Sequence, residues 1–243
     1  MNMKVDLCGV TLNNPVMTAS GTFGSGAEYA EFVDLNKLGA VVTKGVANVP
    51  WPGNPTPRVA EVYGGMLNAV GLQNPGIDLF VERDIPFLKQ FDTKIMVNVC
   101  GHSTEEYIEV VERLRDQPVD LLEINISCPN VKEGGIAFGQ DPKAVEAITK
   151  EMKKHAAQPV IMKLSPNVTD ITEMARAAEA GGADGLSLIN TITGMKIDIN
   201  RQKFVLANKT GGMSGPAIHP VAVRMVYQTA RQSDCRSSEW VES

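Results

Sequence analysis

The strongest constraint on the fold is an alternation, repeated along the chain, of short β-rich apolar runs and segments with helical apolar spacing. The apolar runs predict strands at 15–20, 40–44, 94–99, 120–126, 160–164 and 183–190. The helically spaced segments predict helices at 75–90, 103–115, 141–155, 169–180 and 216–230. This alternation, without a linker or low-complexity break, predicts one α/β domain built on a parallel sheet that helices cover.

The positions of unusual polar residues discriminate between the two architectures that such an alternation permits. Five predicted strands each end in or near an amide or ammonium side chain: Lys44, Asn98, Asn125, Lys163 and Asn190. A (β/α)8 TIM barrel gathers its active site at the carboxyl ends of its strands. A doubly wound sheet would instead concentrate ligand groups at one switch point, with a GxGxxG turn that is absent after the first strand here. The sequence therefore favours the barrel, with six strands visible and the last two β/α units missing from this chain.

Composition and charge argue against two classes of function. The chain of 243 residues has a formal net charge of −5 and no Lys/Arg cluster. A nucleic-acid partner is therefore not expected, because phosphate binding requires a basic surface. No apolar stretch approaches the roughly 20 residues that span a bilayer, and the amino terminus lacks the features of a signal peptide. We expect a cytoplasmic protein without a membrane partner.

The cysteines and histidines form neither a disulfide framework nor a metal-binding pattern. The four cysteines are Cys8, Cys100, Cys128 and Cys235, and the three histidines are His102, His155 and His219. None of the histidines pairs at metal-ligand spacing, so we predict that they are surface or cap residues and that the chain binds no metal. Cys8 and Cys100 are interpreted as inert cysteines of the kind that pack like small apolar residues.

The densest cluster of chemically capable residues is NISCPNVKEGGIAFG, at 125–139, directly after the fourth predicted strand. Asn125 and Asn130 offer donors and acceptors for a planar polar ligand. Cys128 offers a thiol, and the glycine-containing stretch that follows can fold over a ligand as a lid. The alternative for Cys128 is an inert buried thiol, but a strand-end position between asparagines, followed by Pro129, favours a functional role.

A thiol that acts as a base needs a reachable thiolate. Its ordinary pKa of about 8.5 falls when lysines lie nearby. Lys44 and Lys163 are candidates, because each interrupts an apolar run (AVVTKG and PVIMKLS) at an equivalent place. The alternative is that either lysine is a surface residue that ends a strand.

Two further segments resemble ligand loops: GMLNAVGLQNPG at 65–76 and INTITG at 189–194. Their asparagines, Asn68, Asn74 and Asn190, could bind a ligand or form turns, and the turn interpretation is favoured most for Asn74.

Taken together, eight segments resemble the dihydroorotate dehydrogenases over residues 14–230. They are ASGTFG, VTKG, NPTPRV, GMLNAVGLQNPG, NISCPN with GGIAFG, VIMKLSPNV, GADGLSLINT and LANKTGGMSGPAIHP. Cys128 places the resemblance with the soluble cysteine-base type, since the membrane-associated type has serine there. CPNVKEGGIAFG and LANKTGGMSGPAIHP resemble the NAD-linked form more than the fumarate-reducing homodimer.

The resemblance implies that the chain oxidises dihydroorotate to orotate in pyrimidine biosynthesis, with FMN as its cofactor. Cys128 would be the base that removes the C5 proton while the C6 hydride passes to N5 of FMN. Lys44 would touch both flavin and substrate, and Lys163 would stabilise negative charge at the N1/O2 edge of the reduced flavin. The implied substrate-binding residues are Lys44, Asn68, Ala69, Val70, Gly71, Leu72, Asn125, Asn130, Asn190 and Thr191. The implied flavin-binding residues are Ser20, Lys44, Gly45, Asn98, Asn125, Lys163, Ile189 and Gly215.

The NAD-linked form also implies a partner. Electrons would pass to NAD+ through a second subunit that carries FAD and a 2Fe–2S cluster, in a heterotetramer of two of each. Two alternatives remain open at this point. One is a dihydropyrimidine dehydrogenase-like module, although the long iron–sulfur regions of those proteins do not flank this sequence. The other is a non-catalytic remnant that binds no flavin.

The segment 231–243, RQSDCRSSEWVES, departs from the family pattern. Family members continue for roughly 60 residues, through strands whose glycine loops bind the FMN phosphate. In another reading frame, one permitted set of codons for this segment gives AVRLPIIGMGGI, an apolar strand with a glycine loop. We therefore predict an incomplete barrel at 1–230 and an aberrant tail at 231–243 from a frameshift near Arg231, either genetic or a sequencing error. Such a chain is expected to leave sheet edges open and not to work as a flavoenzyme, whereas the frame-restored chain is expected to be one. Resequencing across codon 231 tests this interpretation.

Overall fold

The computed structural model describes residues 2–126, 132–133 and 136–232. Its strands, in chain order, are β1 (Val5–Leu7), β2 (Val10–Leu12), β3 (Ala40–Val42), β4 (Val59–Val62), β5 (Gly65–Asn68), β6 (Lys94–Val99), β7 (Leu121–Asn125), β8 (Lys132–Glu133), β9 (Ile136–Ala137), β10 (Val160–Lys163), β11 (Gly185–Ser187), β12 (Ile192–Met195), β13 (Ile197–Asp198), β14 (Lys203–Phe204) and β15 (Thr210–Ser214). Its α-helices are α1 (Ile77–Leu79), α2 (Ile85–Leu88), α3 (Thr104–Leu114), α4 (Pro142–His155), α5 (Ile171–Ala180) and α6 (His219–Ala230). A π-helix (Phe80–Asp84) joins α1 to α2, and 3-10 helices cover Leu35–Lys37, Phe138–Gln140 and Pro216–Ile218.

A parallel sheet of five strands, in the order β11-β10-β7-β6-β3, is the centre of the fold. Each strand pairs with its sequence neighbour among the predicted strands, which is the arrangement of consecutive β/α units in a barrel wall. Helices α3 to α6 pack side by side on one face and enclose the main apolar core. This part of the chain therefore has the α/β-barrel architecture that the sequence predicts.

The helices α3, α4 and α5 each begin with a side-chain cap. The side chains of Ser103, Asp141 and Asp170 accept hydrogen bonds from backbone N–H groups in the first turns of α3, α4 and α5. Each cap accepts a hydrogen bond from a backbone N–H group that has no partner within the helix. Such a cap typically stabilises a helix by about 1 kcal/mol.

The amino-terminal hairpin of β1 and β2 covers one end of the parallel sheet. Its turn places Cys8 and Gly9 at φ values of 52° and 84°, as a tight two-residue hairpin turn requires. Leu7 and Leu12 are buried in a small apolar cluster with residues from the parallel strands: Ala40, Val42, Met96, Leu121 and Ile161. Since most of these residues lie near the amino ends of their strands, the carboxyl ends are left for polar chemistry.

Two of the predicted elements are wrong in detail. Residues 15–20 do not form a strand, because only Met17 bridges to Ala40 and the Thr18 hydroxyl accepts the N–H of Val42, where a strand would present a backbone carbonyl. The predicted helix 75–90 contains the π-helical turn Phe80–Asp84, which ends two residues before Pro86. A proline inside a helix cannot donate to the residue four positions earlier and clashes with its carbonyl, which favours a wider turn there.

A second sheet is absent from the sequence predictions. It is antiparallel, in the order β12-β15-β5-β4, and it stands beside the parallel sheet. Its strands are short, and β15 has the glycine-rich sequence TGGMS, so the sequence suggests loops there. In the described ranges, no helix is both long enough and apolar enough to cross a membrane.

Candidate functional site

Buried polar side chains gather on the inner face of the parallel sheet, towards its carboxyl ends. They are Asn98, Glu123, Asn125, Lys163 and Ser187, and each is at most 7% exposed. Glu123 and Asn125 are two residues apart on β7, so both point to the same face. The parallel register sets Asn98 opposite Glu123, and sets Lys163 opposite Asn125 and Ser187. The five side chains therefore form one contiguous polar cluster inside the fold.

Glu123 lies at the centre of this cluster. Its carboxylate accepts hydrogen bonds from the Asn98 amide at 2.5 Å and from the Ser187 hydroxyl at 2.7 Å. The Lys163 ammonium lies 4.0 Å from the same carboxylate and donates to the hydroxyl of Ser20 at 3.0 Å. The two buried charges are thus paired and hydrogen-bonded, as burial of ions requires.

A head-to-tail chain of amides leads outward from Glu123. Asn98 donates to Glu123, and the Nδ2 of Asn125 lies 3.5 Å from the Oδ1 of Asn98. The Nδ2 of Asn190 lies 3.4 Å from the Oδ1 of Asn125. The Oδ1 of Asn190 in turn accepts from the backbone N–H of Thr191 at 2.7 Å. Three asparagines on different elements therefore point in one direction.

A cavity of about 60 Å³ adjoins the cluster. Its polar lining comes from Thr18, Ser20, Glu123, Lys163 and Ser187, and its apolar lining includes Met17, Val42, Met96, Ile161 and Leu188. Apolar walls with a few convergent polar groups are typical of a site for a flat organic ligand.

Lys44 and Gly45 follow β3, which pairs with β6, the strand that carries Asn98. Burial lowers the pKa of Lys44, a smaller effect of Arg58 acts in the same direction, and Cys100 opposes both. A Cβ on Gly45 would lie 3.0 Å from the Oδ1 of Asn98 and 3.3 Å from the Sγ of Cys100. Glycine at this position therefore lets the backbone approach Asn98 closely.

The loop from Ala69 to Leu72 is fixed by two asparagines outside it. Asn54 donates from its side chain to the carbonyl of Ala69 and from its backbone to the carbonyl of Val70. Asn74 donates to the carbonyl of Leu72 and accepts from the backbone N–H groups of Ala47 and Gly76. Asn74 is thus a structural turn residue, as its sequence context favours, while the loop is held in place from both sides.

Asn68 and Thr191 meet through the antiparallel sheet. Asn68 pairs with Gly212, and its Nδ2 lies 3.4 Å from the Gly212 carbonyl. A Cβ on Gly212 would lie 1.9 Å from the Oγ1 of Thr191, so only glycine fits there. Gly215, at φ 114°, follows β15 and packs against Gly65, whereas Ile189 is buried in the main core.

The structure thus brings together most of the residues that the sequence assigns to a site. Ser20, Asn98, Asn125, Lys163, Asn190 and Thr191 join one hydrogen-bonded network. Gly45 links this network to the loop 69–72, since its added Cβ would also meet Leu72. Cys128, Asn130 and much of the predicted lid lie outside the described residues, as does the tail from 233 onwards.

Three residues of the site were not predicted from the sequence: Glu123, Ser187 and Asn54. Glu123 carries a usable signal, because it interrupts the apolar run LLEINI two residues before Asn125. Ser187 gives a weaker signal of the same kind in GLSLI. Asn54 gives none, because an asparagine between glycine and proline usually indicates only a turn.

The described residues offer no group of three or more His, Cys, Asp or Glu side chains that could hold a metal ion. The histidines lie where the sequence predicts. His102 stacks on Trp51 at the surface, His155 is the last residue of α4, and the exposed His219 is the first residue of α6.

A polar cluster at the carboxyl edge of a parallel α/β-barrel sheet, with a buried lysine and a row of amides, is typical of the active site of a barrel enzyme. The family model described as Dihydroorotate dehydrogenase matches residues 2–236. The chain belongs to the dihydroorotate dehydrogenase family, whose members are flavin-dependent oxidoreductases.

Relatives of known annotation agree with this assignment. The chain is 75% identical over 230 residues to a protein of Lachnoclostridium phytofermentans, a match that covers 95% of this chain and 77% of the relative. It is 68% identical over 234 residues to a protein of Alkaliphilus metalliredigens, covering 96% and 78%. It is 57% identical over 231 residues to a protein of Geobacter sulfurreducens, covering 95% and 76%. All three relatives are named dihydroorotate dehydrogenase B (NAD(+)), catalytic subunit.

Proposed function

We propose that the chain oxidises dihydroorotate to orotate with FMN as its flavin. The observation that carries this proposal is the directed row of amides from Asn98 to Asn190, beside the buried Lys163. Amides and an ammonium group are the donors and acceptors that complement a flavin ring and a cyclic imide. The names of relatives up to 75% identical support the same reaction.

The donor set fits a flavin. FMN, when bound, supplies the two-electron acceptor for the hydride from C6 of the substrate. Lys163 would hold positive charge beside the N1/O2 edge, where negative charge develops on reduction. Glu123 and Ser20 keep the lysine in place. The residues proposed to line the flavin are Ser20, Lys44, Gly45, Asn98, Asn125, Lys163, Ile189 and Gly215.

The substrate would lie between the amide row and the antiparallel sheet. Asn68, Asn125, Asn190 and Thr191 are proposed to hold its ring and carboxylate, with Asn130 as a further contact. The loop Ala69–Leu72, tethered by Asn54 and Asn74, would form the remaining wall and exclude water. Lys44 would contact both ligands.

Cys128 is proposed as the base. Its thiolate would take the C5 proton as the C6–H bond breaks and the C5=C6 bond forms, so that one proton and one hydride leave the substrate. The positive charges of Lys44 and Lys163 would favour the thiolate over the thiol.

The proposed partner is a subunit that carries FAD and a 2Fe–2S cluster, two copies of which would join two of this chain to pass electrons to NAD+. The words "NAD(+)" and "catalytic subunit" in the names of the relatives support an NAD-linked assembly with a further subunit. Co-expression with the product of a neighbouring flavin and iron–sulfur gene should then give a complex that reduces NAD+.

The experiment that tests the reaction compares Cys128→Ser with Cys8→Ser, both made in the frame-restored chain. Cys8 is a suitable control because it lies in the β1–β2 turn near the amino ends of the strands, where its Sγ donates to the carbonyl of Asp184. Dihydroorotate should bleach the flavin absorbance of the frame-restored chain and of its Cys8→Ser variant. Cys128→Ser should retain FMN but bleach slower by a factor of about 10²–10⁴ near neutral pH, the typical contribution of a general base. Bleaching of Cys128→Ser at the wild-type rate would remove the base assignment, and a frame-restored chain without bound FMN would remove the flavin assignment.

A further inference from the structure

Glu123 takes no direct part in the proposed reaction, yet its carboxylate has three polar partners in the site. It is 4% exposed, and its two carboxylate oxygens accept from Asn98 and Ser187. Burial of a charge costs several kcal/mol unless it is paired, and these partners offset that cost.

We infer that Glu123 is a positioning residue, whose carboxylate sets the direction of the amide row that faces flavin and substrate. This inference rests on the proposed function, because the amides matter only if they bind those ligands. Glu123 itself touches neither the reacting atoms nor the substrate.

An ionised carboxylate only accepts hydrogen bonds, whereas a carboxamide can present either its oxygen or its nitrogen. Asn98 must therefore point its Nδ2 at Glu123, which leaves its Oδ1 to accept from Asn125. Asn125 then presents its Oδ1 to Asn190. One fixed acceptor at the buried end thus determines the orientation of three amides.

Burial makes this control effective. Asn98 and Asn125 are 1% and 5% exposed, so a reversed amide could not replace its lost partner with bulk water. A reversed Asn98 would set its oxygen against the carboxylate oxygen of Glu123, an arrangement of two acceptors without a donor. Leaving a buried polar group unsatisfied costs about 1–3 kcal/mol.

Glu123 also faces the ammonium group of Lys163, at 4.0 Å. The carboxylate therefore offsets part of the positive charge that Lys163 would present to a reduced flavin. Removing the carboxylate charge should make reduction of the flavin easier, whereas a purely structural role would not change the reduction potential in a set direction.

The test uses the frame-restored chain with Glu123→Gln, Glu123→Asp and the surface control Glu146→Gln. Glu146 loses the same charge but pairs with Lys150 on the exposed face of α4. In the flavin-free chain, NMR measures hydrogen exchange at the side-chain amide of Asn98. In the FMN-bound chain, the reduction potential and the dissociation constant of orotate are measured.

We expect Glu123→Gln to speed exchange of the Asn98 amide, to move the flavin potential in the positive direction, and to weaken orotate binding about tenfold. Glu123→Asp keeps the charge but withdraws it by one methylene, so it should speed exchange and weaken orotate binding while the potential stays near that of wild type. Glu146→Gln should match wild type in all three. If Glu123→Gln does not fold, Glu123→Asp decides by its exchange rate and orotate affinity.

Wild-type exchange and wild-type orotate affinity in the folded Glu123 variants would overturn the inference. Failure of the proposed function is distinguishable, because a frame-restored chain that binds neither FMN nor orotate would refute that function alone. The amide-exchange measurement on the flavin-free chain would still decide the role of Glu123.

Discussion

The buried pair of Lys163 and Glu123 should contribute measurably to stability without any cofactor. The perturbation is Lys163→Met and Glu123→Gln, made singly and together. The nitrogen–oxygen distance is 4.0 Å, and the side chains are 4% and 5% exposed. At an effective dielectric constant of about 20, this distance corresponds to an attraction of about 4 kcal/mol.

Each single substitution leaves the other charge buried without its partner, which typically costs about 3–5 kcal/mol. The double variant leaves no buried charge in this pair, so its loss in the free energy of unfolding should be smaller than the sum by about 2–3 kcal/mol. Lys163→Met also loses the hydrogen bond to Ser20. The part of the loss in the free energy of unfolding that comes from this hydrogen bond should persist in the double variant.

Urea unfolding at neutral pH, followed by both fluorescence and circular dichroism, measures these free energies. Raising the salt concentration should change the coupling little, because a buried pair is poorly screened. The matched control is the exposed pair of Lys150 and Glu146, whose coupling should stay below about 1 kcal/mol and weaken with salt. Additive losses at Lys163 and Glu123 would refute the reasoning, because they would mean that the two charges do not interact.

Two further predictions concern neighbours of this cluster. Tyr107→Phe should lower the free energy of unfolding by about 1–2 kcal/mol, because the buried hydroxyl donates to the carbonyl of Asn125 at 2.6 Å; the same change at the fully exposed Tyr63 should cost nothing measurable in urea unfolding. Burial lowers the folded-state pKa of Lys44 below its ordinary value of 10.5, so the native state resists the charged form and the penalty applies fully below the folded pKa. Lys44→Met should therefore be more stable than wild type at pH 7, by a margin that narrows as the pH rises towards 10.5; a margin that does not depend on pH would contradict the assignment.

The parallel sheet could be predicted from the sequence because the apolar runs and the polar residues at their ends both indicate the same strands. A parallel sheet aligns the carboxyl ends of its strands at one edge, so Asn98, Asn125 and Lys163 had to converge once their strands were recognised. The hydrogen-bond caps of α3 and α4 were equally predictable, because they depend on residues only two or three positions apart.

The parts that were not predictable depend on contacts between distant segments. The strand β15 pairs with β5 across more than a hundred residues of sequence, and its glycines serve close approach to Thr191 rather than a loop. The central role of Glu123 depends on Ser187, 64 residues further along the chain. The predictions for Cys128 and Asn130 stay predictions, since both residues lie outside the described ranges.

The antiparallel sheet, which contains Asn68 and Gly212, shares no strand with the parallel sheet. Under the proposed assignment, the redox half of the reaction depends on the parallel sheet, and part of the recognition of the molecule to be oxidised depends on its neighbour. An engineer seeking a different cyclic amide substrate could therefore randomise residues 59–72 and 191–214 while leaving 94–99, 121–125 and 160–163 untouched. Binding of the flavin would then stay unchanged, and substrate preference could be varied separately.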